Sequence, residues 1–138
     1  MSTKQGKQTY TNDRKVYIKE TAAIVGPREK EGPLGDYFDE VQNEDFDEKS
    51  WERAEAKFTG SVFQKLMRKI QLKSDDIDCI LAGDLMNQCV ASSIGLRDSG
   101  VPYLGLFGAC STIAEGMVTG SLLINSGGMD NVICMASS

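Results

Sequence analysis

Cys110 is the residue of this chain best placed to do chemistry. It lies in "GLFGACSTIAEG", residues 105–116, after an apolar run and before residues with helical spacing. A cysteine at the end of a strand and the start of a helix has two uses. The unpaired N–H groups and the dipole of the helix stabilise negative charge there, so a thiolate nucleophile is favoured. The same donors welcome a carboxylate ligand. Gly108, Ala109 and Ser111 beside it are small and leave room for an approaching molecule. The alternative is that Cys110 is a small buried hydrophobe, as free cysteines often are. Position alone leaves these readings open. Cys79 and Cys134 sit within apolar runs and Cys89 on a predicted helix, and packing is the simpler account of all three.

Other motifs carry less. "GACST" resembles a strand–turn–helix nucleophile elbow, but G-x-S-x-G needs serine at its centre and glycine two residues on, where Thr112 stands. The chain has no G-x-G-x-x-G and no P-loop. Asp84, Asn87 and Gln88 follow "CILAG" and fall on the same sheet edge as Cys110. They are candidates to line a pocket, or are caps and turn residues. The acidic run "DYFDEVQNEDFDE" lacks the calcium-loop pattern and reads as a solvated face. There is no histidine and no CxxC pair, which argues against a zinc site.

The elements that must position these residues follow from charge and periodicity. The 138 residues make one domain, and the net charge of −5 argues against a nucleic-acid binder. The cysteines' apolar settings favour reduced thiols inside a cell. The start, "MSTKQGKQTYTNDRK", is polar and does not read as a signal peptide. The longest uncharged run, residues 99–114, is too short and too broken by glycine and proline to span a membrane. From residue 99 onward only Glu115 and Asp130 are charged, so surface dominates the first part and core the last. Such an apolar ending reads as the inside of something larger.

"KVYIKETAAIVG", residues 15–26, reads as a strand, and the Gly-Pro steps of "GPREKEGPLGDYFDE" as a structured loop. Ser50 is a good N-cap for a helix with Trp51, Ala54, Phe58, Val62, Leu66 and Ile70 at helical spacing. Gly60 interrupts it at a cost of about 1 kcal/mol and permits close approach of a neighbour. Beyond it, "CILAG", "PYLGLF" and "NVICMAS" read as buried strands. Between them, residues 86–100 and 111–128 read as helices. The order from residue 50 is αβαβαβ, which implies an α/β fold with a parallel sheet covered on both faces. The helix after Cys110 carries one charge, Glu115, and is expected to be buried on every side, with Gly116 and Gly120 letting another helix pack closely.

These residues resemble a known family. A strand, then "FGACST", then an almost uncharged helix ending in "GG" and another strand is similar to the nucleophile region of the thiolase and ketoacyl-synthase fold. "GKQTY", "GPREKEGPLGDYFD", "KSWERAE", "DDIDCILAGDLMNQ" and "FGACST" resemble one branch, the stage V sporulation protein AD family. The resemblance spans most of the chain. It implies a thiolase-like fold of two similar α/β halves in five layers, with a parallel-dominated mixed sheet and a buried central helix after Cys110. Residues 1–138 would be an incomplete N-terminal half: residues 1–49 the N-terminal strand and Gly-Pro loop region, residues 50–138 the αβαβαβ core. It further implies an intracellular protein of the sporulating cell, soluble or peripheral at the forespore inner membrane, that forms homodimers when full length. Its partners would be dipicolinic acid, with or without calcium, and membrane proteins of the same sporulation operon. No cofactor and no nucleic acid are implied.

Cys110 aligns with the residue that condensing enzymes acylate, and Cys110, Ala109, Ser111, Thr112 and Asn87 become the expected ligand contacts. Condensing enzymes complete their site with histidines, or a histidine and an asparagine, from the second half of the fold. This chain has no histidine and about two-fifths of a member's length. The expectation is therefore a dipicolinate-binding protein without turnover. The alternatives are an acyl-transferring enzyme using Cys110, and a scaffold in a membrane-associated complex.

Overall fold

The computed structural model describes residues 2–43, 45–86 and 88–137. Its N-terminal part is a set of short pieces. β1 (Thr3–Gln5) and β2 (Thr9–Thr11) form an antiparallel hairpin. β3 (Ile24–Val25) pairs in parallel with β4 (Glu40–Val41), and the short helix α1 (Pro27–Lys30) begins the Gly-Pro loop between them. The predicted strand over residues 15–26 is thus confined to its last two paired residues. Residues 15–23 belong to no helix or strand, and Tyr17 and Ile18 are exposed. β-favouring side chains make a strand only where a neighbouring edge is within hydrogen-bonding reach.

From residue 50 the order is as the periodicity implied. Helix α2 (Trp51–Ile70) starts at Ser50, whose Oγ accepts from the Arg53 N–H at 3.4 Å. Then follow β5 (Cys79–Asp84), α3 (Val90–Leu96), β6 (Tyr103–Gly105), α4 (Thr112–Asn125) and β7 (Val132–Ser137). The three strands form a parallel sheet in the order β6-β5-β7, in register from Ile80 opposite Tyr103 and from Cys79 opposite Val132. β5 is central and buried throughout, as its unbroken apolar run requires.

Side chains alternate between two cores. Ile80, Ala82, Ile133 and Met135 face Phe63 and Leu66 of α2 and Leu96 of α3. Cys79, Leu81 and Cys134 face the other way, against the layer of Leu106 and Leu123. α2 and α3 meet through bare backbone. A Cβ added at Gly60 would stand 3.0 Å from the Gly95 carbonyl oxygen, and one at Gly95 only 2.4 Å from that of Ala56. The close approach expected of Gly60 is therefore present and offsets its weak helix propensity.

Four expectations are corrected. The helix after Cys110 is not buried on every side: Ile113, Met117, Val118 and Leu122 of α4 are exposed, while only one stripe meets the sheet. Gly116 and Gly120 face that sheet, next to Cys134, and not a second helix. Among the described residues Arg14 bonds the C-terminal end of α4, and those four apolar side chains stay exposed. "PYLGLF" is an edge strand of three residues with Leu104 exposed, because β6 has a neighbour only on the β5 side. The sheet over the described strands is wholly parallel and not mixed, the antiparallel hairpin standing apart from it. Among the described residues no helix is long and apolar enough to cross a membrane.

Candidate functional site

The site lies where the chain leaves β5 and β6 at their carboxyl ends, the edge where open α/β sheets bind ligands. After β6, Leu106 donates its N–H to the Ala82 carbonyl at 2.8 Å and is buried, and Phe107 then swings out to 65% exposure. Ala109 adopts φ +48°, a left-handed conformation that is strained for any residue with a Cβ. A single 3-10 turn, Ala109–Ser111, leads into α4, with the Ser111 N–H donating to the Gly108 carbonyl at 2.9 Å. This tight reversal lifts Cys110 onto the surface, where its thiol is free and exposed. Among the described residues nothing buries Cys110. Packing does describe Cys79, which is fully buried, and burial pushes the thiols of both Cys79 and Cys134 up from their usual range.

Ala109 and Ser111 are exposed on either side of Cys110, whereas Thr112 is 2% exposed. The Thr112 methyl faces Gly83, and its hydroxyl is buried without a hydrogen-bond partner. Asn87 lies outside the described residues. Its neighbours meet the Cys110 turn as the sequence suggested: Asp84, Leu85 and Gln88 from the β5 side and Phe107 and Ala109 from the β6 side line one hollow of about 330 Å³. Leu85 and Phe107 are additions. Phe107 reads in the sequence as the end of a buried strand, and its apolar character gives no sign that the strand stops two residues earlier.

Asp84, besides edging this hollow, takes the cap role that its position also allowed. It is 5% exposed, and its carboxylate accepts from the Met86 N–H at 3.0 Å, the Ser92 N–H at 2.8 Å and the Ser92 hydroxyl at 2.6 Å. Helix α3 begins after Cys89, which supplies no side-chain cap. Ser92 is its third residue, so Asp84 caps α3 from the end of β5, and its negative charge suits that helix terminus. The Ser92 hydroxyl lies 3.0 Å from the Tyr103 phenol, which reaches the Ala82 carbonyl at 3.3 Å. Burial pushes the Tyr103 phenol up, against the pull of its bond with Ser92. The Cys89 thiol donates to the Leu106 carbonyl at 2.9 Å. One polar network therefore clamps the two loops that carry the site.

The loops also touch through backbone. A Cβ at Gly83 would stand 2.2 Å from the Leu106 carbonyl oxygen. The carboxylate of Glu115, one turn into α4, lies beside Gly108 and is the negative charge nearest the Cys110 turn along the helix. Among the described residues no group of three or more metal-ligating side chains converges.

The family description "Stage V sporulation protein AD (SpoVAD)" matches residues 6–138. The chain belongs to the stage V sporulation protein AD family. It is similar to stage V sporulation protein AD of Bacillus subtilis (strain 168), at 37% identity over 134 residues that cover 96% of this chain. The chain spans 40% of that relative's length. The Cys110 turn, the Asp84 clamp and the Gly-Pro loop all lie within the stretch that defines the family match.

Proposed function

We propose that this sporulation-family chain supplies the Cys110 side of a thiolase-like pocket that holds dipicolinate, without turnover, for its loading into the developing spore. The observation that carries the reading is the exposed Cys110 turn at the head of α4, facing a hollow edged by Gln88 and Phe107. Helix starts offer N–H donors and a favourable dipole to anions. Dipicolinate is a flat dianion, and an aromatic edge such as Phe107 suits its ring. Glu115 opposes a bare dianion at this place, so calcium entering with the ligand would relieve the repulsion. The membrane proteins of the sporulation operon and a second copy of the full-length protein are the proposed partners.

The test is calorimetry with the B. subtilis relative. Dipicolinate binding that is lost when the residue aligned with Ala109 is changed to Trp supports the reading, and binding that survives it argues against it.

The exposed thiol and the strained turn before it favour one second reading, acyl transfer. The Cys110 thiolate would attack a thioester carbonyl, forming an enzyme thioester and releasing the acyl carrier as its thiol. Intact-mass measurement after incubation with acetyl-coenzyme A separates the two: an acetyl adduct on Cys110 supports the enzyme, and an unmodified chain supports the binding protein.

A further inference from the structure

The entry to helix α3 departs from what the helix itself needs. Gln88 and Cys89, the two residues before it, both have left-handed backbone, at φ +59° and +69°. Neither is glycine, so both positions are strained. Glycine or asparagine takes this conformation more readily, and serine or aspartate would cap the helix. Cys89 stands at the cap position and supplies no side-chain cap, a task that Asp84 performs through Ser92. Neither backbone conformation nor capping explains a cysteine at this place, and a break of local rules of this kind points to another use.

The side chain supplies that use. The Cys89 thiol donates to the Leu106 carbonyl at 2.9 Å. The same carbonyl lies against the bare Cα of Gly83, where an added Cβ would come within 2.2 Å of its oxygen. The Leu106 N–H is held as well, by the Ala82 carbonyl at 2.8 Å. Cys89 packs over Gly105, where a Cβ would stand 3.5 Å from Sγ, and its thiol lies beside the Tyr103 phenol. Leu106 is the last buried residue before the Cys110 turn. Only Phe107, Gly108 and the strained Ala109 separate it from Cys110.

We infer that Cys89 is a positioning residue: its thiol, aimed by the left-handed backbone, holds the Leu106 carbonyl and so sets the direction in which the chain enters the Cys110 turn. Without that donor the Leu106–Phe107 peptide is free to rotate, and it carries Phe107 and Ala109 with it. A thiol is a weak donor, so its effect falls on the placement of the turn more than on the stability of the fold. The inference rests on reading the Cys110 turn as the functional site, and not on which molecule that site binds.

The test is amide hydrogen exchange on the 138-residue chain and its Cys89 variants. It is read at Leu106, Ser111 and Thr112, whose N–H groups bond to Ala82, Gly108 and Ala109. Helix α2 serves as the reference for global opening. Cys89→Ala speeds exchange at the three amides by roughly tenfold or more, beyond any change in α2. Cys89→Gly does the same, yet unfolds in urea no earlier than Cys89→Ala, because glycine accepts φ +69° without strain. Cys89→Ser keeps a donor on the same stem and returns the rates to within about threefold of the parent. Rates that are unchanged in Cys89→Ala and Cys89→Gly overturn the inference. So does a rise matched in α2, or a Cys89→Ser chain that exchanges as fast as Cys89→Ala, since the cysteine is then packing alone. No readout involves dipicolinate, so a failed binding titration leaves the inference standing, and an unmoved turn overturns it while leaving the pocket intact.

Discussion

Replacing Asp84 tests how the two loops of the site are held. Asp84→Ala removes three hydrogen bonds to an ionised, 5% exposed acceptor, at 2.6, 2.8 and 3.0 Å. Bonds to charged groups contribute about 1.5–3 kcal/mol each, but these three share one acceptor and do not add fully. The Ser92 hydroxyl retains Tyr103 and the Cys89 carbonyl, at 3.0 and 3.3 Å. The Ser92 N–H is left buried without an acceptor, and α3 loses its only cap. The expected loss is about 3–4 kcal/mol, a large share of the 5–15 kcal/mol typical of a domain. Asp84→Asn keeps one acceptor oxygen and turns an NH₂ toward donors, for a loss of about half as much. Urea unfolding followed by circular dichroism measures both, with amide exchange at Met86 and Ser92 reporting the loops directly. An Asp84→Ala chain within about 0.5 kcal/mol of the parent, or more stable than Asp84→Asn, refutes the clamp.

Further predictions follow from burial and steric fit. A thiol reagent at neutral pH modifies exposed Cys110 first and fully buried Cys79 only on unfolding, with partly buried Cys134 between them, as peptide mapping of partially labelled chain shows. Raising pH weakens the fold through the Cys79 and Cys134 thiols: their folded pKa lies above the unfolded value, so their contribution is full below the unfolded pKa and is lost as pH rises through the folded one. Gly83→Ala drives a Cβ into the Leu106 carbonyl and lowers stability by about 1–3 kcal/mol, with peptide-level exchange rising first at residues 106–111. Asp39 is held below the usual carboxylate range by Lys69 and the Ala23 N–H, so its stabilisation exists above the unfolded pKa and is lost as pH falls through the folded one. Asp39→Asn therefore flattens the acid limb of the stability profile. Glu115→Gln tightens dipicolinate binding when calcium is absent and matters less when it is present, by calorimetry at fixed ionic strength.

Much of this arrangement is written locally. The run "CILAG" has no polar alternation and becomes the buried central strand, and Ser50 followed by helical spacing becomes α2. The placement of Cys110 at a strand end and helix start also follows from neighbours in sequence. What escapes local reading is set by distant partners. Residues 15–22 carry a strand-like pattern, yet Arg14 and Lys69 hold them to the helices rather than to an edge. Whether Asp84 lines a pocket or caps a helix is open in the sequence until Ser92, eight positions on, takes its carboxylate. The outer face of α4 is apolar as if buried, yet Ile113, Met117, Val118 and Leu122 are exposed among the described residues; pattern reports what a surface suits, not whether its cover is present. Phe107 reads as strand because hydrophobicity does not register where a ladder ends.

The most direct test of the proposed pocket is calorimetric titration of dipicolinate, with and without calcium, into the B. subtilis relative and into its variant with Trp at the residue aligned with Cys110. The proposal predicts saturable binding to the relative, weakened at least tenfold in the variant while its circular dichroism spectrum is unchanged. Binding of equal strength in both, or no binding to the folded relative, contradicts it.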